Sequence, residues 1–355
     1  MPTLSPELIQ ITARHQVYLE RLKSGQAKEF DKVLRAMDRA IRLEFSKVGD
    51  NPTQRQIDRL IANIGTVIAS ILDSHIAAHL KATGELAVYE AGFEVRAIQQ
   101  VAKASATQVV TPTDAIVRAA LSNSPMSVRD NRAGLTVEQL ARKFGSDQVE
   151  RLQNKIRLGY FEGKTTPQLA QEIRGLASLK FQDGELAQVA KAAQIMAKDT
   201  FQFASGIGKQ TTLIENGVKE YELVAILDGR TSVICRSIDQ RRFEVGKGPL
   251  PPLHRFCRTT VTPVLPDKFK PLTEAATRNS SDGAVDAEQT YYGWLKTQRT
   301  EFVEDVIGRD RAKLLLEGGL SADEFARLQL NRNFQPMTLE EMKAKEPEAF
   351  AQAGL

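Results

Sequence analysis

Two cysteines and a histidine in the second half of the chain could bind a metal ion. Cys235, His254 and Cys257 offer two thiolates and an imidazole, and the spacing of the last two suits ligands of one ion. Structural zinc takes four nitrogen, sulfur or oxygen donors, so Asp239 or Asp228 is the candidate for the fourth. The sequence therefore allows a structural zinc site, although its residues do not require one.

Two other interpretations of the same three side chains remain open. A disulfide would close a loop of about 22 residues and contribute roughly 3 kcal/mol in the chain-entropy model, provided that oxidation follows assembly or release. Alternatively, Cys235 and Cys257 are buried thiols, and His254 hydrogen-bonds a loop carbonyl. Two cysteines are too few for a disulfide scaffold, and a reducing compartment favours thiols or a metal over a bridge.

Other patterns of catalytic residues are absent or incomplete. His75 and His79 lie one helical turn apart, but no glutamate follows His75, so the zinc-protease pattern is missing. The segment 206–208, Gly-Ile-Gly, lacks the third glycine of a dinucleotide site, and neither a nucleophile elbow nor a phosphate-binding loop occurs. A catalytic Cys257 with His254 as its base would need an orienting group and an oxyanion site. We therefore expect a protein that is not an enzyme, with no cofactor besides a possible zinc ion.

The composition is that of an ordinary globular protein with two or three domains. The chain has 355 residues, of which 42% are apolar, 26% charged and 6% aromatic, and its net charge is only +4. That charge does not by itself indicate nucleic-acid binding. The start of the chain lacks a secretory signal, and the best apolar stretch, 64–72, is too short for a membrane span. We expect a chain that is made in a cytosol and does not bind membranes.

The first domain, residues 1–208, is expected to consist of long amphipathic helices. Ser5 and Pro6 form a helix start, and two apolar stripes at three- and four-residue spacing follow. The stripes comprise Phe30, Val33, Leu34, Met37 and Ile41, and then Ile57, Leu60, Ile61, Ile64, Val67, Ile68, Ile71 and Leu72. Capping patterns predict helix starts, namely Thr53 with Gln56, Thr136 with Gln139, and Thr166 with Pro167. The segment 111–134 is predicted to be a long connection or a mobile arm around one short helix.

The rest of the chain is expected to form a small module and a tail. Short strands are predicted at 221–225, 242–245 and 259–264, which gives a mixed α+β module at 209–270. A polar linker, 271–286, leads to a tail at 287–355, where Ser321 with Glu324 and Thr338 with Glu341 begin short helices. The predicted fold is thus mainly α with a small α+β module in the second half.

One segment of the module resembles a known family. Its residues are Asp228, Arg230, Cys235, Asp239 and Phe243, followed by the closing run 251–258, Pro-Pro-Leu-His-Arg-Phe-Cys-Arg. In order and spacing they resemble the phage Mu protein F-like domain of head morphogenesis (minor head) proteins. The tail resembles the C-terminal region of the same proteins through Tyr292, Trp294, Leu295, Lys296, Gln298, Val306, Ile307, Gly308, Arg311, Leu314 and 339–341. Ser232 and Thr259 stand where many members have two further cysteines, which excludes a four-cysteine zinc site.

The resemblance implies a virion structural protein of a tailed phage, located at the portal or the inner surface of the major capsid protein. Such a protein would act by binding contacts in head assembly and genome retention. Alternatives are an internal protein ejected with the DNA and a toxin or nuclease built on His254 and Cys257.

The resemblance also assigns structural roles to residues of the motif. Asp228, Arg230, Phe243, Pro252 and Arg258 are expected to be structural, and Asp239 is expected to pair with Arg230 or Arg258. The segment 228–270 carries a net charge of +5, which could contact packaged DNA without sequence preference, or equally an acidic portal surface or solvent.

Overall fold

A computed structural model describes residues 6–102, 109–126, 134–265 and 276–355. The fold is mainly helical, with short antiparallel strands in the second half and short helices at the end, which confirms the predicted fold class.

Among the described residues, the first part of the chain forms six α-helices: α1 (Pro6–Phe45), α2 (Gln54–Ala102), α3 (Asp114–Asn123), α4 (Val137–Phe161), α5 (Thr166–Arg174) and α6 (Glu185–Glu215). The predicted apolar stripes lie in their shared core, where Met37, Ile68 and Leu72 are fully buried. Helices α2 and α6 come very close to each other, since a Cβ atom on Gly208 would lie 2.2 Å from the carbonyl oxygen of Ala87.

Most of the predicted helix starts are confirmed. Capping boxes precede α4 at Thr136 and two helices of the tail at Ser321 and Thr338, and the backbone N–H of Thr53 donates to the side chain of Gln56. Helix α5 is capped by Thr165, one residue before the predicted cap. Helix α1 begins at Pro6, whereas the predicted cap at residue 5 lies outside the described residues.

Helix α2 is, among the described residues, the one helix long and apolar enough to cross a membrane by length and composition. It packs along α6, α4 and α1, and it buries the carboxylates of Glu90 and Glu94. We interpret it as a core helix, because the central helix of a helical core meets the same criteria as a membrane span.

The module contains a three-stranded antiparallel sheet, and a short helix, α7 (Val233–Ile238), follows its first strand along the chain. Strand β1 (Glu220–Val224) pairs with β2 (Arg242–Glu244) on one side and with β3 (Thr260–Val264) on the other. All three strands lie within one residue of the predicted strands.

The module and the helices share one hydrophobic core. Phe201 and Ile207 of α6 belong to the same cluster as Tyr221, Leu250 and Cys257 of the module. The predicted boundary after residue 208 also falls inside α6, which continues to Glu215. The N-terminal helices and the module are therefore packed as one unit in this structure.

Part of the predicted polar linker is a β-hairpin. Strand β4 (Thr277–Ser280) pairs with β5 (Gly283–Asp286), while residues 266–275 lie outside the described part of the chain. Arg278 of this hairpin is buried and binds Asp239. The polar composition indicated a linker. The sequence did not show that Arg278 would be buried, because its partner lies 39 residues away.

The tail forms six short helices with a hydrophobic core of their own. These are α8 (Tyr291–Leu295), α9 (Thr300–Ile307), α10 (Arg309–Glu317), α11 (Ala322–Leu328), α12 (Leu339–Lys345) and α13 (Pro347–Gln352). Trp294, Leu314 and Phe325 are fully buried at the centre of that core. The tail contacts α7, where Arg236 donates a hydrogen bond to the carbonyl oxygen of Val306.

Candidate metal centre

The structure brings Cys235, His254 and Cys257 together. Cys235 lies in the first turn of α7, where the hydroxyl of Ser232 accepts a hydrogen bond from its backbone N–H. His254 and Cys257 lie on the loop that leads into β3. The Sγ atom of Cys235 lies 3.1 Å from Nε2 of His254 and 3.7 Å from Sγ of Cys257, and the three donor atoms all lie within 4.8 Å of one another.

These separations are close to those between ligands of one zinc ion. Two thiolates bound tetrahedrally at about 2.3 Å from zinc are about 3.8 Å apart, and a thiolate and an imidazole about 3.6 Å. The two sulfurs are already at this distance, whereas Cys235 and His254 would separate by about half an ångström. The sulfurs are much farther apart than the roughly 2.05 Å of a disulfide, and both thiols are free.

The orientation of His254 also suits a metal ligand. Its Nδ1 lies 2.8 Å from the backbone carbonyl oxygen of Arg255, to which it donates a proton. That hydrogen bond directs Nε2 towards the sulfurs, and Nε2 offers its lone pair to a metal ion once the imidazole is neutral. Metal-binding histidines are commonly held in this way through their second nitrogen.

The charges within the cluster favour a thiolate beside an imidazolium. Burial alone would raise the pKa of the Cys257 thiol, but hydrogen bonds to Cys235 and His254 and the charge on His254 hold it well below its usual value. The hydrogen bond with Cys257, together with burial, raises the pKa of Cys235 well above its usual value. Burial would lower the pKa of His254, but its contact with Cys257 raises it. The buried ammonium of Lys23 also donates to the carbonyl oxygen of Cys257, at 3.3 Å.

Neither predicted aspartate supplies the fourth ligand. Asp239 accepts hydrogen bonds from the backbone N–H groups of Ala225 and Tyr291, each at 2.8 Å, and from both terminal nitrogens of Arg278 at 3.0 Å. The prediction that Asp239 is a zinc ligand is therefore wrong, because the buried Arg278 already neutralises this carboxylate. Its expected pairing with Arg230 or Arg258 is wrong for the same reason.

Asp228 is occupied by a different arginine. Its two carboxylate oxygens each lie 2.7 Å from a nitrogen of Arg258, and Arg230, largely exposed, lies 3.6 Å away. Burial would raise the pKa of Asp228, but Arg258 lowers it below its usual value. This bidentate ion pair joins the two ends of the segment that carries the family resemblance.

The remaining motif residues also have structural contacts. Phe243 of β2 pairs with Tyr221 of β1, and its ring also packs against Phe334 of the tail. Pro252 is buried in the loop that carries His254.

A cavity of about 10 Å³ adjoins Cys235 and His254, and Ser232 and Thr259 also line it. It has room for about one water molecule. A small ligand such as water could complete a metal site there.

Several positively charged side chains of the segment 228–270 are held in ion pairs or hydrogen bonds. Arg236 donates to backbone carbonyls, Arg242 pairs with Glu222, Lys247 with Glu244 and Arg258 with Asp228. The predicted contributions of residues 268 and 270 lie outside the described part of the chain. Asp228 and Glu244 are already subtracted in the net charge of +5, so these contacts hold the side chains in place without lowering that charge, and the contact with DNA phosphates stays a prediction.

The other histidine pair has a structural environment. His79 is buried and its Nε2 lies 2.8 Å from the hydroxyl of Thr200, and burial, together with nearby His75, lowers its pKa to about 3.

No family model, curated protein or solved structure matches this chain.

Proposed function

We propose that this chain is a minor head protein of a tailed phage, which acts by binding contacts with the portal protein or the inner surface of the capsid. The proposal rests on the resemblance of residues 228–258 and of the tail to phage Mu protein F-like head proteins. In this account the protein resides in the virion and helps to assemble the head or to retain its DNA.

The observation that carries the proposal is how the structure uses the motif residues. Asp228 and Arg258 form a bidentate ion pair, and Cys235, His254 and Cys257 form a cluster in which both sulfurs are buried. These groups hold two chain segments together. Such an arrangement supports a motif that builds a stable shape for assembly.

The proposal predicts that heads need this chain. A phage in which its gene is deleted should produce fewer infectious particles, and expression of the wild-type chain in trans should restore them. Electron microscopy of the mutant lysate should show defective or DNA-free heads. Normal numbers of infectious, DNA-filled heads without the chain would refute the proposal.

We further propose that Cys235, His254 and Cys257 bind a structural zinc ion, with a water molecule from the adjoining cavity as the fourth ligand. The sulfur separation of 3.7 Å and the orientation of His254 support this assignment. When bound, the ion would join α7 to the loop that precedes β3. Lys23 of α1 and Gln202 of α6 contact the same loop and the residues after it, so the metal would also fasten the module to the helices.

Metal analysis of the purified chain tests this assignment. We expect about one zinc ion per chain, and loss of most of it in Cys235→Ser, Cys257→Ser and His254→Ala. Ser237→Ala is the matched control, because Ser237 lies on the same helix and its hydroxyl donates to a backbone carbonyl. Cobalt substitution should give the absorption of a thiolate-bound ion in the wild type. A wild-type chain that binds no zinc, or a cysteine variant that binds as much as the control, would refute the site.

A further inference from the structure

A groove on the N-terminal helices lies apart from the residues of the candidate metal centre. It has a volume of about 710 Å³ and lies between α1, α6 and the segment that joins α5 to α6. Its size falls within the range of roughly 300–1,000 Å³ that is typical of ligand sites. Nothing in the proposed head function assigns a role to it.

The lining of the groove combines an apolar floor with a basic rim. Leu34, Phe181 and Leu186 supply apolar surface. Two of the charged lining residues are acidic and four are basic, so the groove is positive overall. They are Asp31 and Asp38, and Arg35, Arg174, Lys180 and Lys191. Asp38 is already neutralised, because its carboxylate lies 3.0 Å from Arg42 and 3.8 Å from Arg174.

The segment at the mouth of the groove is held in a strained conformation. Lys180 and Phe181 are consecutive non-glycine residues in the left-handed region, with φ of 52° and 60°. Such residues persist only where the surrounding structure enforces their conformation, and they cluster at ligand clamps. The strain presents a phenylalanine whose side chain remains 38% exposed, instead of burying it.

The ends of this segment are locked together. Gly175 and Gly184 approach so closely that a Cβ on Gly184 would lie 2.5 Å from the backbone nitrogen of Gly175. The carboxylate of Asp183 accepts a hydrogen bond from the backbone N–H of Leu176 at 2.9 Å. The guanidinium of Arg174 lies 4.6 Å from the centre of the Phe181 ring and fixes its position. The aromatic side chain is thus positioned before any ligand binds, which lowers the entropy cost of binding.

We infer that this groove binds an acidic amphipathic peptide segment of a partner protein. Apolar side chains of the partner would contact Leu34 and Phe181, while its carboxylates would pair with Arg35, Lys180 and Lys191. The lining favours a peptide over a nucleic acid, because bases bind by stacking on aromatic rings and Phe181 is the only aromatic residue among the described residues that line the groove. The inference does not depend on the proposed role in phage heads.

The test measures binding of a fluorescein-labelled helical peptide of about 15 residues, with leucine and phenylalanine on one face and glutamate on the other. The same peptide with lysine in place of glutamate is the charge control. Phe181→Ala should weaken binding at least about tenfold, as expected for an aromatic side chain at the centre of an interface. Arg35→Glu should also weaken it, and it adds a variant on a regular helix that leaves the strained segment intact.

Phe161→Ala is the matched control, since that side chain is 88% exposed but does not line the groove. Circular dichroism verifies that each variant folds. Binding of the acidic peptide that is lost in both groove variants and kept in Phe161→Ala would support the inference. No binding to the wild type, equal binding of the lysine peptide, or stronger competition by a thymidine dodecanucleotide than by the acidic peptide would overturn it.

Discussion

Glu94 of α2 makes the stability of this protein depend on pH in a predictable way. The residue is 1% exposed, and neither of its carboxylate oxygens has a hydrogen-bond partner among the described residues. Burial raises its pKa to about 7, although nearby Lys209 opposes the rise and Glu90 adds to it. Glu90 itself is satisfied by His15 and Ser205, each at 2.6 Å, so Glu94 is the unsatisfied carboxylate of this cluster.

The direction of the effect follows from proton binding. The folded state binds a proton at Glu94 more tightly than the unfolded chain, where the pKa is 4.5. Folding is therefore disfavoured progressively as the pH rises from below 4.5 to about 7, and the full cost remains above that range. Each pKa unit corresponds to about 1.4 kcal/mol, so the ionised carboxylate costs about 3 kcal/mol of stability.

Glu94→Gln removes this cost while it preserves the shape of the side chain. We expect the free energy of unfolding of the variant to exceed that of the wild type by roughly 2–3 kcal/mol more near pH 8 than near pH 5. Urea denaturation followed by circular dichroism at both pH values measures this difference. Glu222, whose pKa burial raises to about 7, titrates in both proteins and cancels in the comparison.

Glu85→Gln is the matched control on the same helix. Its side chain is 58% exposed, and its ion pair with Lys81 is long at 3.9 Å, so the variant should change stability little at either pH. If the stability curves of wild type and Glu94→Gln are parallel between the two pH values, Glu94 is solvated or paired and this prediction is wrong.

Three further predictions test other parts of the structure. Asp239→Asn should destabilise the fold by about 3–5 kcal/mol in chemical denaturation, because it leaves the buried Arg278 without its counter-ion; a loss below about 1 kcal/mol would mean that the pair is not buried. Gly208→Ala should lower the unfolding midpoint, because its Cβ would lie 2.2 Å from the backbone of α2. Gly25→Ala should raise the midpoint slightly, because its Cβ would meet nothing within 4 Å. Equal effects of the two substitutions would contradict the close approach of α2 and α6. The stabilisation lost on adding a chelator should shrink as the pH falls, because protons compete for Cys257 and the other ligands; thermal melts with the same chelator effect at low and neutral pH would argue against a thiolate-bound ion.

Local sequence patterns predicted much of the fold. The apolar stripes through Met37 and Ile68 lie in the core, and the capping residues Thr136 and Ser321 begin helices, because both signals depend only on neighbours within a few residues. The sequence also allowed Cys235, His254 and Cys257 to meet as ligands of one ion, but it left this interpretation open beside a disulfide and separate buried thiols.

Long-range pairings were not predictable in the same way. The sequence contains several arginines that could have neutralised Asp239, and nothing local distinguishes Arg278, which lies in a polar stretch that resembles a linker. The shared core between α6 and the module was missed for a related reason. Apolar residues such as Phe201 show that a helix face is buried, but they do not indicate which partner covers it.

The most direct test of the proposed function is quantitative mass spectrometry of gradient-purified phage particles, before and after triggered release of their DNA. A minor head protein should be present at a fixed ratio to the portal protein and should stay with the emptied heads. If the chain leaves with the DNA, it is an ejected protein and the proposed structural role is wrong. If it is absent from the particles altogether, the assignment to the phage head is contradicted.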